Sequence, residues 1–400
     1  MSLINKIRNA KVEEEPTTLW NIQFIVVLVF GFLSGAANQM VNPNLSKYAV
    51  SLGASLSLAG TIVGLQAGMA MCLRPISGAA SDLLNRKYVM LGSICITSTA
   101  YLGYLLFRNI TAVIICRLLQ GFSFSFMSVA RTAFASAYMP KDKIGEGVAY
   151  TSFGVVLSQI VGPNIGLWVS DNFGFEYCFG TALILSLSGL AVLSLVPYKH
   201  TKGKFKKDKL KLGNLISVEV IPYALLGGMF SITTQLANSF IALVGEERDI
   251  SNVAMFFTTY AVIALITRPV AGKVVDKYGL AVIMYPGFVF GALSMLFIGV
   301  AQGLPLILMS GVCKALSQGM ALPSIQGSAI KRLGREKAGV ASATIHMGQD
   351  LLNLVAPALG GVIASQYGYT TMYCGFAGFI ILGIPIYAAL RRSEKKRGIV

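Results

Sequence analysis

The stretch RPISGAASDLLNRK, Arg74 to Lys87, closes an apolar run that begins near residue 55 and continues at once into Gly78, Asp82, Arg86 and Lys87. A second version stands downstream as RPVAGKVVDKYG. There Arg268, Pro269, Gly272 and Asp276 each lie 194 residues after Arg74, Pro75, Gly78 and Asp82. The same offset relates Gly154, Pro163 and Gly166 to Gly348, Pro357 and Gly360. A pattern repeated at one fixed separation across such distances describes an architecture built twice.

The solvent of that architecture is set by composition. Of 400 residues, 54% are hydrophobic and only 12% are charged, whereas soluble domains carry about 25% charged residues. A helix needs roughly 20 apolar residues to cross a ~30 Å hydrocarbon core. Twelve such segments can be read, near 20–41, 55–76, 88–107, 110–134, 147–169, 175–196, 218–243, 252–271, 280–301, 304–328, 339–364 and 370–390. A membrane β-barrel would require period-2 alternation, which the sequence lacks. The expected fold class is therefore an all-α integral membrane protein with 12 transmembrane helices in two pseudo-symmetric six-helix bundles.

The net charge of +16 is distributed as a topology signal. With the N-terminus inside, 25 of the 33 Lys and Arg fall on the inner side, and only Lys47, Arg108 and Arg248 fall outside. That asymmetry is the positive-inside rule, and it places both termini in the cytoplasm. It argues against nucleic acid as a partner; the lipid bilayer is the partner the composition implies. All six cysteines fall inside apolar segments without C-x-x-C spacing, so neither a disulfide framework nor a metal site is expected. EEEP precedes the first segment and no small-residue cleavage site follows a short apolar region, so no removable signal is read. An inner (plasma) membrane location fits.

The Lys-rich stretch PYKHTKGKFKKDKLKLGN, Pro197 to Asn214, is the longest polar segment. It divides the chain into a cytoplasmic tail 1–19, a first bundle 20–196, a linker 197–217, a second bundle 218–390 and a basic tail 391–400. Gly78-Ala-Ala-Ser-Asp82-Leu-Leu-Asn85-Arg86-Lys87 resembles the loop between helices two and three of the major facilitator superfamily, of the form G-x-x-x-D-r-x-G-r-k. Leu83 and Asn85 depart from that form, and Gly272 to Gly279 is the degenerate second copy. Asn tolerates a left-handed turn better than other non-glycine residues, so Asn85 is expected to serve where the family has Gly. The resemblance covers the whole chain and implies a secondary transporter with two parallel six-helix repeats and a substrate site between them. In the family this loop is assigned to conformational switching, which here implicates Gly78, Asp82, Arg86, Lys87 and Asp276. Arg86 and Lys87 could also be topology markers alone.

GVVLSQIVGPNIG, Gly154 to Gly166, looks like the helix-five signature of the family's antiporters, with Gly162 and Pro163 as its kink. Ordinary close packing is the competing reading, since MGQDLLNLVAPALGG repeats the pattern in the eleventh segment. Arg117-Leu-Leu-Gln120-Gly121 resembles the family's R-x-x-q-G signature, linked there to proton coupling. Lys314-Ala-Leu-Ser317-Gln318-Gly319 answers it in the tenth segment as a looser copy. A charge within a membrane span is costly and hence a functional candidate; a purely structural ion is the alternative for both.

TIHMGQDLLNLVAP in the eleventh segment holds the one acid well inside a span. His346 and Asp350 are four residues apart and share a helix face, with Asn353 close to it. A carboxylic acid in low dielectric beside a histidine can exchange protons at physiological pH. A cation such as Lys314 or Arg117, approaching in one conformation only, would drive the release. The alternative is a permanently paired Asp350 that fixes its helix. Asn38, Gln39 and Asn42 in the first segment, Gln66 in the second, Gln235 and Asn238 in the seventh and Tyr260 in the eighth offer neutral hydrogen-bonding groups for a substrate cavity. The first segment lacks the acid common in relatives that expel cations.

No P-loop, G-x-S-x-G elbow or H-E-x-x-H helix occurs, so an enzyme, a cofactor or ATP as energy source is not expected. The expectation is a monomeric, proton-coupled exporter of a small organic or amphipathic compound, resembling the drug-efflux branch. Uptake or exchange of an organic anion is the first alternative. A lipid flippase and a transport-dead sensor are further ones.

Overall fold

The computed structural model describes residues 18–135, 138–140, 144–196, 216–333 and 338–396. Among the described residues there is no strand. Helices α1 (Ile22–Ser51), α2 (Leu56–Leu83), α3 (Arg86–Leu106), α4 (Ile110–Ala135), α5 (Ile144–Phe173) and α6 (Phe175–Leu195) precede the linker. After it come α7 (Ile221–Glu247), α8 (Met255–Tyr278), α9 (Ala281–Val300), α10 (Leu304–Lys314), a π turn (Ala315–Gly319), α11 (Met320–Leu333), α12 (Ala338–Ile381) and α13 (Gly383–Lys396). The apolar stretch Val340–Lys396 is 57 residues long, about 85 Å at 1.5 Å per residue, which suffices for two passes. Gly368, at φ 80°, breaks it where the second pass begins. With α10, the π turn and α11 forming one pass, the helices fit twelve passes.

Polar residues cap the starts of α1, α2, α3 and α4. Asn21 Oδ1 accepts from Phe24 N (2.8 Å), Ser55 Oγ from Leu58 N (3.2 Å), and Asn109 Oδ1 from Ala112 N (2.8 Å). Each satisfies a backbone donor that has no partner within its own helix. Asn85 does the same for α3, accepting from Lys87 N at 3.0 Å. Its φ is −64°, so it serves as a cap and not as the left-handed residue expected from the loop motif. Gly279, 194 residues on, does take a positive φ of 82°.

Two compact units result: Met1–Asn44 with Cys72–Leu210, and Leu45–Met71 with Lys211–Val400. In the first, α5 lies on α1 with no room for side chains at the crossing. A Cβ on Gly162 would sit 2.9 Å from the Ala36 carbonyl, and one on Gly166 would sit 2.5 Å from that of Met40. Hydroxyl pairs join α3 to its neighbours, Thr97 to Ser123 (2.5 Å) and Ser98 to Ser186 (2.8 Å). Such pairs and close backbone approach hold helices together in lipid, where apolar burial supplies little. Phe24, Phe30, Met90, Ile94, Phe134 and Leu193 fill the space between them.

The second unit repeats the plan: a Cβ on Gly348 of α12 would meet the Ala224 carbonyl of α7 at 2.4 Å. Residues 45–71 join this unit because α2 also crosses α12 at contact distance. Gly60 faces the Pro357 carbonyl (2.1 Å from an added Cβ), and Gly361 faces that of Leu56 (2.3 Å). Beside this crossing Lys47 pairs with Glu246 at 2.9 Å.

Several helices outrun their apolar segments. α1 continues to Ser51 through Pro43, and Asn44 Nδ2 donates to the Met40 carbonyl (2.8 Å) next to the bond that Pro43 cannot make. α2 and α8 continue past Arg74-Pro75 and Arg268-Pro269 to Leu83 and Tyr278. The Arg-Pro pair thus ends the apolar run without ending the helix. The basic C-terminal stretch is helical to Lys396, and its one acid, Glu394, is buried against Tyr223 and Arg332.

Candidate functional site

One polar cluster lies in each unit. In the first, Arg117 on α4 is 1% exposed. Its Nη1 donates to Asn42 Oδ1 on α1 (3.0 Å) and to Gln120 Oε1 one turn along (3.1 Å). Tyr104 on α3 donates to the same Gln120 oxygen at 2.9 Å, and Asn42 Nδ2 donates to Gln39 Oε1 at 3.2 Å. The sequence-derived residues Gln39, Asn42, Arg117 and Gln120 are therefore one network spanning α1 and α4. Tyr104 completes it from a position that reads as ordinary apolar helix. Asn38 lies half-buried on α1 beside it in sequence.

In the second unit, Lys314 closes α10 at 1% exposure. Its Nζ lies 4.0 Å from the ring centroid of Tyr260, 5.0 Å from Phe256 and 5.9 Å from Phe257, all on α8. Among the described residues Lys314 has no carboxylate partner. Each ring contributes ~0.5–2 kcal/mol of cation–π attraction, against several kcal/mol for burying an ammonium. Phe256 and Phe257 carry no polar label in the sequence, and only their i+4 and i+3 relation to Tyr260 would have marked them.

The next five residues, Ala315–Gly319, form the π turn. The loosely matched stretches differ in spacing at this point: Arg117 to Gln120 is three steps, Lys314 to Gln318 is four. The extra residue is absorbed by widening one turn, a device found often at functional sites. Gln318 Oε1 accepts from Thr233 (3.4 Å) and from Thr234 on α7.

Asp350 on α12 is 5% exposed, one turn beyond half-buried His346. Asn353 Oδ1 accepts from Ser231 Oγ at 2.9 Å, tying α12 to α7. Gln235 Nε2 donates to the Val63 carbonyl (3.5 Å), and Gln66 and Asn238 are buried at 9% and 7%. Of the switch residues, Lys87 donates from Nζ to the carbonyls of Ser194 (2.8 Å) and Val196 (2.7 Å), capping the end of α6 within its own unit. Arg86 is half-buried at the start of α3. Gly78 lies in α2, and the side chains of Asp82 and Asp276 lie outside the described residues. Gly162 and Pro163 sit in α5 at its crossing with α1.

The Major Facilitator Superfamily profile matches residues 27–251 and 223–399. The chain belongs to the Major Facilitator Superfamily. Among its relatives, the multidrug resistance protein MdtG of Escherichia coli O81 (strain ED1a) is 26% identical over 403 residues, covering 96% of this chain and 98% of the relative. The multi-drug resistance efflux pump PmrA homolog of Lactococcus lactis subsp. lactis (strain IL1403) is 26% identical over 410 residues, with the same coverage. Among solved structures, a peptide transporter POT in complex with sulfate aligns with TM-score 0.78 at 14% identity, covering 98% of this chain and 99% of that one. The nucleoside transporter NupG aligns with TM-score 0.71 at 14% identity, covering 92% and 99%. As a superfamily member the chain is a multi-pass membrane protein and a secondary transporter, not an enzyme.

Proposed function

We propose that this protein exports a small organic or amphipathic compound in exchange for protons, by alternating access, as a monomer of the inner membrane with both termini cytoplasmic. The observation that carries the reading is a carboxylate, Asp350, buried within a membrane-length helix one turn from a histidine. A carboxylate in a span is costly unless it is paired or hydrated, which makes it a functional candidate by default. His346 shares its proton, and Arg117, with its hydrogen-bonded neighbours, is the second coupling residue. Asn38, Gln39, Asn42, Gln66, Gln120, Gln235, Asn238, Tyr260, Lys314, Gln318 and Asn353 supply the polar lining. Export is favoured over uptake by the relatives that cover nearly the whole chain, whose names describe multidrug resistance and efflux.

Alternation requires latches. In this topology the Lys47–Glu246 pair and the α2–α12 crossing form the outer latch. Gly78, Asp82, Arg86, Lys87 and Asp276 are the residues assigned to switching on the inner side. Everted vesicles with an acid interior and a pH-sensitive dye test the coupling. A transported compound collapses the gradient in wild type and fails to do so in Asp350→Asn. Equal collapse in both removes Asp350 from the proton path. Uptake or exchange of an organic anion is the second reading, favoured by the buried cations and the acid-free α1. Entry of radiolabelled carboxylates into whole cells, without any gradient collapse in vesicles, would select it.

A further inference from the structure

Arg268 ends an apolar run, and its side chain does more than mark a membrane boundary. Its Nη2 reaches back along α8 to donate to the Tyr260 hydroxyl at 3.5 Å. The ring of that same Tyr260 carries Lys314 on its face at 4.0 Å. Two cations therefore converge on one tyrosine. Among the described residues neither has a carboxylate partner, and the Nε of Arg268 is buried with no hydrogen-bond acceptor. Lys314 is 1% exposed and has ring faces around its ammonium.

Like charges held together in low dielectric repel strongly. A fold keeps such a pair where something of opposite sign arrives to sit between them. Two further features fit an arriving ligand. A cleft of about 130 Å³ opens onto Arg268 between α8 and α11, lined by Gly272, Val275, Pro323, Ser324 and Ser328. The π turn that follows Lys314 presents Gln318 with its carbonyl held by Thr233 and Thr234, so its amide N–H groups point the other way as donors.

We infer that Lys314, Arg268 and Tyr260 form an anion subsite approached from the cleft at Arg268, and that the substrate is an amphipathic organic acid whose charged head bridges the two cations. The inference rests on the transporter reading and specifies the substrate class of its site; it does not depend on proton coupling or on direction. Arginine matches a carboxylate in a two-pronged fashion and lysine meets it as a point charge. Charge on the ligand removes the repulsion that the empty site carries, so binding is favoured by the electrostatics of both residues at once.

The test is equilibrium binding to the purified full-length protein in lipid nanodiscs, using tritiated 2-naphthoate, its cationic analogue 2-naphthylmethylammonium and the neutral 2-naphthamide. The expected result is saturable binding of naphthoate in preference to both analogues. Lys314→Gln and Arg268→Gln should each weaken it by about tenfold or more, the loss of one charge-assisted contact, while Lys314→Arg retains most of it. Melting temperature in the same nanodiscs identifies any variant that fails to fold, and the wild-type preference among the three ligands decides without variants. A wild type that prefers the cation or the neutral compound overturns the inference, as does a folded Lys314→Gln that binds naphthoate normally. If wild type exchanges protons for cations in vesicles and ignores naphthoate, the anion site falls and the export reading stands. If naphthoate binds but moves no protons, the anion site stands and the coupling falls.

Discussion

Arg117 is the largest fully buried side chain among the described residues, and Asn42 and Gln120 supply acceptors for its Nη1. Removing Asn42 takes one of them away while the cation stays buried. Asn42→Ala is expected to cost ~1–3 kcal/mol of stability, the penalty of an unsatisfied buried donor, read as a lower melting temperature together with reduced transport. An unchanged melting temperature would show that the network is not what holds Arg117. This part of the site was legible because Arg, Asn and Gln are conspicuous in apolar segments. Tyr104 and the aromatic faces around Lys314 were not legible, because an aromatic residue in an apolar helix looks the same whether it packs or cradles a cation. Arg268 was hidden for a related reason: at the end of a span a cation reads as a topology marker, and only the reach of its side chain to Tyr260 gives it another role.

Among the elements, the tenth pass is the most informative. The one-residue difference between R-L-L-Q-G and K-A-L-S-Q-G is plain in the sequence, and the fold resolves it as a π turn. Deleting Leu316 restores the shorter spacing, so the flanking helices keep their register. The variant is expected to fold with a melting temperature near wild type and to lose transport at least tenfold, because Gln318 and Lys314 no longer hold their present relation. Wild-type transport by the folded deletion would make the π turn an inert irregularity. Helix lengths were under-read for a plain reason. Apolar content ends where lipid ends, whereas backbone hydrogen bonding continues through Pro43 and past Pro75 and Pro269 until a residue such as Asn85 or Gly279 starts the next element. Glycines at the crossings are equally specific to their elements. Gly348→Leu would drive a side chain into the Ala224 carbonyl and is expected to abolish folding in the membrane, measured as loss of monodisperse protein after extraction.

For the whole molecule, the repeat at 194 residues foretold the doubled plan in which α5 rests on α1 as α12 rests on α7. It gave no sign that residues 45–71 would group with the second unit, because small residues that let α2 meet α12 are common throughout the chain. That crossing, with Lys47 and Glu246 beside it, is the part of the account that must open and close. In a background without the native cysteines, Lys47→Cys with Glu246→Cys joined by a reducible bis-thiol crosslinker should stop transport, and reduction should restore it. Full activity with the crosslink quantitatively formed would remove this contact from the transport cycle.

Purified protein in proteoliposomes decides whether Asp350 couples transport to protons. A substrate identified by the vesicle assay is supplied outside, and the interior is made acidic relative to the bath. Coupling through Asp350 predicts accumulation of that substrate in wild type, abolished by an uncoupler and absent in Asp350→Asn. Equal equilibration with and without the gradient, or accumulation that survives the uncoupler, would contradict it.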